Sequence, residues 1–337
     1  MNRDHRAAGH SAAFFAQLVL GASALVCCGT AGAEDKHSEE MGRVDTAHLA
    51  VSNQVDTFAR WLDAFFNDDN YVEEEADSRL DLRQIVTWND LGGTAYRSRV
   101  SGRIALPNLS RKLSLTFEGN QEESVFEDNS ERRLNDATDA SLDSPAVGLR
   151  YILKAGKRYH TVMHAGVRLN NPSFFLGPRF RYSQELNDVW LGRYSQRIFW
   201  DVDDGWESQS RVDFDRLFSN GHLLRHTAKV DWREDKKHDR GIRYTLSSTF
   251  VQRLDDEDAL SYGISSQFST KPQSSWKAHS LSVRYRRNFF RDWAFIEGGP
   301  FVAFEDNHNW KVNPGVQIVL DIIFQDGMSI ANREAGE

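Results

Sequence analysis

Residues 80–106 read LDLRQIVTWNDLGGTAYRSRVSGRIAL, and the spacing of their apolar side chains decides the fold. Leu80, Leu82, Val86 and Trp88 alternate with Asp81, Arg83 and Thr87. After the turn-forming cluster Asn89-Asp90-Leu91-Gly92-Gly93 the same period resumes, with Tyr96, Val100, Ile104 and Leu106 alternating with Arg97, Arg99 and Arg103. Successive side chains of a strand point to opposite faces, so a period of two marks a strand whose faces meet different surroundings. Two such runs around a cluster rich in Asn, Asp and Gly form a hairpin.

The period of two then persists along the chain. In 113–120, Leu113, Leu115 and Phe117 alternate with Ser114, Thr116 and Glu118. Similar segments follow at 147–154, 159–169, 174–183, 190–200, 206–215, 224–233, 242–252, 260–269, 279–289, 293–304 and 312–324. Pro107-Asn108, Ser219-Asn220-Gly221 and Asp255-Asp256-Glu257-Asp258 punctuate them as turns. The pattern predicts fourteen strands, or twelve if two weaker segments merge. Most have about the 9–11 residues that a tilted strand needs to cross a bilayer.

Mean hydropathy and a net charge of -8 look like those of a soluble chain, but only one face of each strand in a membrane barrel meets lipid. Beyond residue 33 no apolar run approaches the roughly 18 residues of a spanning helix. Lipid offers no partners for backbone N–H and C=O groups, so strands that cross it must close into a barrel. The aromatic residues separate this reading from a soluble β-sandwich. On the face read as outward, Trp88, Tyr96, Phe117, Trp200, Trp206, Trp232, Tyr244, Phe268 and Phe301 fall towards one end of their strands. Tyr159, Trp190, Phe214, Phe250, Phe289, Trp293 and Phe324 fall towards the other. Two such rings match the aromatic girdles of a membrane barrel, whereas a sandwich core has no reason to sort aromatics to both rims.

The last segment places Val312, Pro314, Val316, Ile318, Leu320, Ile322 and Phe324 on one face. An alternating apolar strand ending in Phe resembles the C-terminal assembly signal of Gram-negative outer-membrane β-barrel proteins, although Gln325 to Glu337 follow it here. The resemblance is a general pattern over residues 78–324. The stretch 106–120 (LPNLSRKLSLTFEGN) also looks like segments of barrel proteins that carry no assigned activity. The resemblance implies outer-membrane lipid as surroundings, the barrel-assembly machinery as partner during insertion, and both termini on the periplasmic side when the strand count is even.

The segments outside the barrel divide by composition. Arg3 and Arg6 precede the apolar run Ala12 to Val26, and Ala31-Gly32-Ala33 is a small-residue cleavage site, so residues 1–33 read as a cleavable export signal. Cys27 and Cys28 fall inside it. Lipidation of one of them is the second reading, disfavoured because Val26 stands where a lipobox carries a small residue. A mature chain from Glu34 has no cysteine, hence no disulfide or thiol metal site. Residues 34–77 form a periplasmic segment: Val51, Val55, Phe58, Leu62 and Phe65 give a helical period over 47–66, and an acidic linker, NDDNYVEEEAD, spans 67–77. The barrel runs over 78–324 and a tail over 325–337.

The inward face is basic although the chain is acidic. It carries Arg83, Arg97, Arg99, Arg103, Arg150, Lys154, Arg168, Arg179, Arg181, Arg193, Arg197, Arg211, Arg225, Lys229, Arg233, Arg243, Arg284 and Arg286. The inward acids are fewer: Asp81, Glu118, Glu207, Asp213, Asp215, Asp231 and Asp321. One reading is a passive pore that favours small anions, because a wall of one charge sign concentrates counter-ions and guanidinium suits carboxylate or phosphate. The other is a packed lumen in which arginines pair with neighbouring acids across strands, in a structural barrel acting through a periplasmic partner. The 47–66 helix lies against the rim or plugs the barrel with Asp56, Asp63, Asp68 and Asp69 among the lumen arginines. The long acidic loop 121–143 falls on the extracellular side.

Other chemistry leaves little trace. His226-Thr227 and His279-Ser280 are the candidates for an outer-membrane hydrolase, but adjacent strand residues point to opposite faces. His160 and His164 share a strand face about 13 Å apart, too far to hold one metal. Asp201-Val202-Asp203-Asp204-Gly205 echoes the start of a calcium loop and lacks its later ligands. No phosphate-binding loop, Cys/His zinc pattern or nucleic-acid motif is present, so no cofactor, metal or catalytic residue is assigned.

Overall fold

The computed structural model describes residues 78–106, 108–119, 145–156, 158–169, 172–187, 189–218, 220–234, 241–289 and 293–325. They form fourteen strands: β1 (Arg79–Asn89), β2 (Gly93–Ala105), β3 (Leu113–Gly119), β4 (Ala146–Lys154), β5 (Tyr159–Arg168), β6 (Ser173–Asn187), β7 (Trp190–Asp201), β8 (Gly205–Leu217), β9 (Leu223–Arg233), β10 (Ile242–Arg253), β11 (Asp258–Ser269), β12 (Ser275–Asn288), β13 (Ala294–Glu305) and β14 (Val312–Gln325). Each pairs antiparallel with its chain neighbours, and β14 closes on β1. Every segment read from the alternation is one of these strands, so the twelve-strand count falls away. The signal 1–33, the 47–66 helix, the acidic linker, loop 121–143 and the tail beyond 325 lie outside the described residues.

Closure leaves no strand edge to pair with another chain. Because the strand count is even, Arg79 of β1 and Gln325 of β14 face each other at one rim, here the terminal rim. Short connections join strands there, for example residues 155–158 and 254–257. The longest connection, from Gly119 to Ala146, belongs to the far rim.

The two faces differ as the sequence predicts. In β1, Arg79, Asp81, Arg83, Ile85 and Thr87 are buried, while Leu80, Val86 and Trp88 are exposed. In β14, Val312, Val316, Ile318 and Phe324 are exposed around the buried Asn313, Gln317, Val319, Asp321 and Ile323. Outside, Trp88, Tyr96, Trp200, Trp206, Trp232 and Tyr244 are exposed near the far rim. Tyr159, Phe214, Phe289, Trp293 and Phe324 are exposed near the terminal rim.

Two inferred orientations are corrected. Phe301 is buried and points inward, opposite Gly315 on β14, where an added Cβ would meet its ring at 2.3 Å. All of β13 follows, because a one-residue slip inverts every side chain of a strand. Phe295 and Glu297 therefore face inward too. Lys154 faces outward: the register shifts between Ile152 and Lys154, and its ammonium lies 5.3 Å from the ring centroid of exposed Tyr159. Alternation alone does not register a bulge.

Phe175 and Phe199 repeat the Phe301 arrangement. Each lies against a cross-strand glycine, Gly166 and Gly177 respectively, and the two rings meet edge to face at 6.1 Å. Phe301, Phe175 and Phe199 all sit in the halves of their strands nearer the far rim.

Polar groups on the outer face satisfy one another. Tyr194 and Ser210 donate to the Gln196 side-chain oxygen at 2.7 and 2.5 Å, and the Gln196 amide donates to Ser208 at 3.0 Å. Gln84 donates to Ser98 at 2.7 Å and accepts from Tyr96. Truncating Gln196 to Ala removes the shared partner of three hydroxyls on the outer face. We expect it to lower the unfolding free energy by about 1–3 kcal/mol. Replacing Gln196, Ser208 and Ser210 together by Leu or Val recovers most of that loss, both changes being read from denaturant unfolding in lipid vesicles.

Candidate functional site

The lumen wall gathers the charged side chains. Inward positions fall where the alternation put them for Arg97, Arg99, Arg103, Arg150, Arg168, Arg179, Arg181, Arg193, Arg197, Arg225, Lys229, Arg243, Arg284 and Arg286. The structure divides them into sectors that sequence alone did not separate.

On β7–β9 the cations are matched by acids. Arg225 grips Asp215 through two bonds of 2.7 Å, and Arg193 donates to Asp215 at 3.1 Å. Arg211 binds Asp213 at 2.9 Å, and the Thr227 hydroxyl donates to Asp213 at 2.6 Å. Nearer the far rim, Glu207 accepts from Arg197 at 3.1 Å and Arg233 at 3.0 Å. A second network spans β12–β14 and β1: Glu297 accepts from Arg284 and Arg286 at 3.2 Å each, and Asp321 accepts from Arg286 at 2.9 Å with Arg83 at 3.8 Å. The Arg286 guanidinium also lies 4.3 Å from the centroid of the Phe295 ring. Bidentate guanidinium–carboxylate contacts of this kind stiffen a wall, because the planar fork fixes both partners.

The sector from β2 to β6 is different. Its inward residues include Arg97, Arg99, Arg103, Arg150, Arg179 and Arg181 together with His160 and His164. Among the described side chains of this sector, Glu185 at the terminal end of β6 is an acid on the inward register. Arg168 belongs to the far rim, where it meets Asp201 at 3.3 Å and Asp204 at 2.8 Å.

Like charges stand directly opposite one another across strands at four places: Arg79 with Arg103, Arg83 with Arg99, Arg179 with Arg197, and Arg211 with Lys229. Among the described inward positions no two acids oppose each other in this way. Directly opposed like charges destabilise a sheet unless other groups offset them.

Arg79, Asp201 and Glu297 were not among the inward residues read from the sequence. Arg79 sits one residue before the first alternating position used, and Glu297 was hidden by the inverted β13. Asp201 looked like part of a loop. It closes β7 instead, accepting the Ser173 hydroxyl at 2.5 Å and the backbone N–H of Asp203 and Asp204 at 2.9 and 3.1 Å. The Asp201–Gly205 turn is thus tied to itself and to Arg168. Among the described residues no group of three or more His, Cys, Asp or Glu is placed to hold a metal ion.

The histidines find cross-strand partners that chain neighbours did not suggest. His226 Nδ1 lies 2.7 Å from Ser248 Oγ, and His279 Nδ1 lies 2.8 Å from Ser266 Oγ, both on the outer face. His279 is flanked by the rings of Trp276 and Trp310 at 5.2 and 5.4 Å. These contacts satisfy polar atoms on the outer face. His160 and His164 are buried on the inner face, and His164 meets the edge of Phe199 at 6.0 Å.

No family model matches this chain, and no curated protein matches it in sequence. Among solved structures it is similar to a loop-deletion mutant of OmpT, an outer membrane protein of Vibrio cholerae, at 11% identity and a TM-score of 0.46, covering 74% of this chain and 99% of that one. It is similar to an anion-selective porin from Comamonas acidovorans at 9% identity and a TM-score of 0.45, covering 75% and 100%. The KdgM porin is similar at 7% identity and a TM-score of 0.34, covering 73% and 99%. These are similarities of barrel architecture.

Proposed function

We propose that this chain is an outer-membrane β-barrel forming a passive pore whose basic lumen favours small anions. The observation that supports the reading is the set of opposed cationic pairs on an inner wall that, among the described residues, has no opposed acidic pair. The closed barrel, the apolar exterior and the two aromatic girdles support residence in a bilayer. Short connections at the terminal rim match the periplasmic side of such barrels, and residues 1–33 supply an export signal. Arg97, Arg99, Arg103, Arg150, Arg179 and Arg181 are the proposed selectivity residues, because among the described residues this sector has the highest excess of cations over acids.

One observation favours a second reading, a closed barrel acting through a periplasmic partner: Arg225, Arg286, Asp213 and Asp321 are each no more than 2% exposed, as in a filled lumen. Single-channel current of the refolded full chain in a planar bilayer under a salt gradient tests the two. Steady current with an anion-selective reversal potential supports the pore. A folded protein that carries no current refutes it and leaves the structural barrel.

A further inference from the structure

Charged side chains are few on the outside of the barrel, and they are unevenly placed. Among the described residues, the outward register positions of β3–β8 hold no Asp or Glu. The cations there are Lys154, at the end of β4, and Arg216, at the end of β8, and both stand at the terminal rim. The far ends of the same strands present Phe117, Val147, Val167, Phe174, Trp200 and Trp206 outward instead. Elsewhere on the barrel, Arg287 at the terminal end of β12 is paired with Asp258 at 3.7 Å, and Lys277 at its far end with Asp306 at 2.9 Å.

Lys154 and Arg216 meet aromatic rings rather than carboxylates. The Lys154 ammonium lies 5.3 Å from the centroid of the Tyr159 ring, which is itself 4.9 Å from the ring of Tyr182. The Arg216 guanidinium lies 5.6 Å from the centroid of Trp190 and 5.0 Å from that of Phe218. Both cations are exposed, and among the described residues neither is ion-paired. A ring attracts a cation through its quadrupole, so it positions the group without cancelling its charge. These rings belong to the girdle at the terminal rim, and aromatic girdles sit at the depth of lipid headgroups. A long cationic side chain at that depth lays its stem along apolar surface and carries its charge to the interface.

We propose that Lys154 with Tyr159, and Arg216 with Trp190 and Phe218, form two docking sites for the phosphate of an anionic phospholipid in the leaflet at the terminal rim. The inference rests on residence of the barrel in a bilayer and not on conduction. Charge complementarity carries it: each site is an uncancelled cation on an acid-free face, at headgroup depth. The guanidinium of Arg216 can hold two phosphate oxygens at once, whereas the Lys154 ammonium acts as a point charge. A zwitterionic headgroup brings its own cation and gains less from either site. Phosphates of the opposite leaflet find no outward cation at the far ends of β3–β8 among the described residues.

The test places one fluorophore beside each cation. Thr161 stands directly opposite Lys154 and Leu224 directly opposite Arg216, so Thr161→Cys and Leu224→Cys are made singly in the full chain, with Cys27 and Cys28 changed to Ser. The labelled proteins are refolded into phosphatidylcholine vesicles that contain equal fractions of either brominated phosphatidylglycerol or brominated phosphatidylcholine, and quenching reads which lipid occupies the neighbouring position. Docking predicts that phosphatidylglycerol associates about fivefold more strongly than phosphatidylcholine at each label, the usual effect of one cation near a bilayer surface. Lys154→Gln brings the ratio close to one at position 161 and leaves position 224 unchanged. Arg216→Gln does the reverse, and Arg216→Lys keeps a preference. High salt narrows the difference, because it screens the attraction. Equal quenching by the two lipids at both labels overturns the docking and leaves the bilayer reading standing. A preference that survives the variant at its own site also overturns it, because the source is then the field of the whole barrel. No quenching by either lipid in folded protein overturns the docking and the bilayer reading together.

Discussion

Changing Arg97, Arg99 and Arg103 together to Glu lowers the anion-over-cation permeability ratio by roughly tenfold or more. That is the low end of the counter-ion enrichment a single-sign wall produces. The three side chains lie on one face of β2, and two of them stand opposite further arginines, Arg83 and Arg79. Reversal converts two opposed cationic pairs into cation–acid pairs and moves the local charge by six units, so the sign of the sector itself changes. The same reversal at Arg193, Arg211 and Arg225 acts differently, because those residues already bind Asp213 and Asp215. There the expected result is loss of folded protein with little folded barrel left to assay. Reversal potentials in a salt gradient check the first outcome, and heat-modifiable migration on a gel checks that the β2 variant is folded. An unchanged permeability ratio in folded β2 variant would remove the selectivity role of this sector.

Changing Glu297 to Ala costs about 3–5 kcal/mol of unfolding free energy, the range for removing one partner of a buried charge network. Glu297 is 3% exposed and accepts from both Arg284 and Arg286 at 3.2 Å. Its removal takes away the carboxylate that Arg284 binds and leaves Arg286, itself 1% exposed, sharing Asp321 with Arg83. The exposed pair Lys277–Asp306, at 2.9 Å, is the internal control. Breaking it by Lys277→Ala changes stability by no more than about 1 kcal/mol, because exposed pairs are screened by solvent. Denaturant unfolding in vesicles, followed by tryptophan fluorescence, reads both. Similar losses for the two variants would show that the β12–β14 network does not brace the wall.

The strand positions were legible because the outer and inner faces of a closed sheet impose opposite demands on adjacent residues. Leu80 to Trp88 and Val312 to Phe324 meet that demand at every second residue, and the period fixes both the strand and its outward face. The inward arginines were legible for the same reason. What the sequence by itself determined about this protein is therefore the all-β class, the strand count near fourteen, the aromatic girdles and the basic inner wall. Tertiary structure alone decided which inner charges meet. Alternation is blind to register between strands, so it could not tell that Arg193, Arg211 and Arg225 gather on Asp213 and Asp215 while Arg99 faces Arg83. It is equally blind to single-residue slips, which is why the bulge at Lys154 and the inversion of β13 escaped it, and Glu297 with them. Strand-to-strand register is set by closure of the whole sheet, a condition that no single strand carries in its own residues.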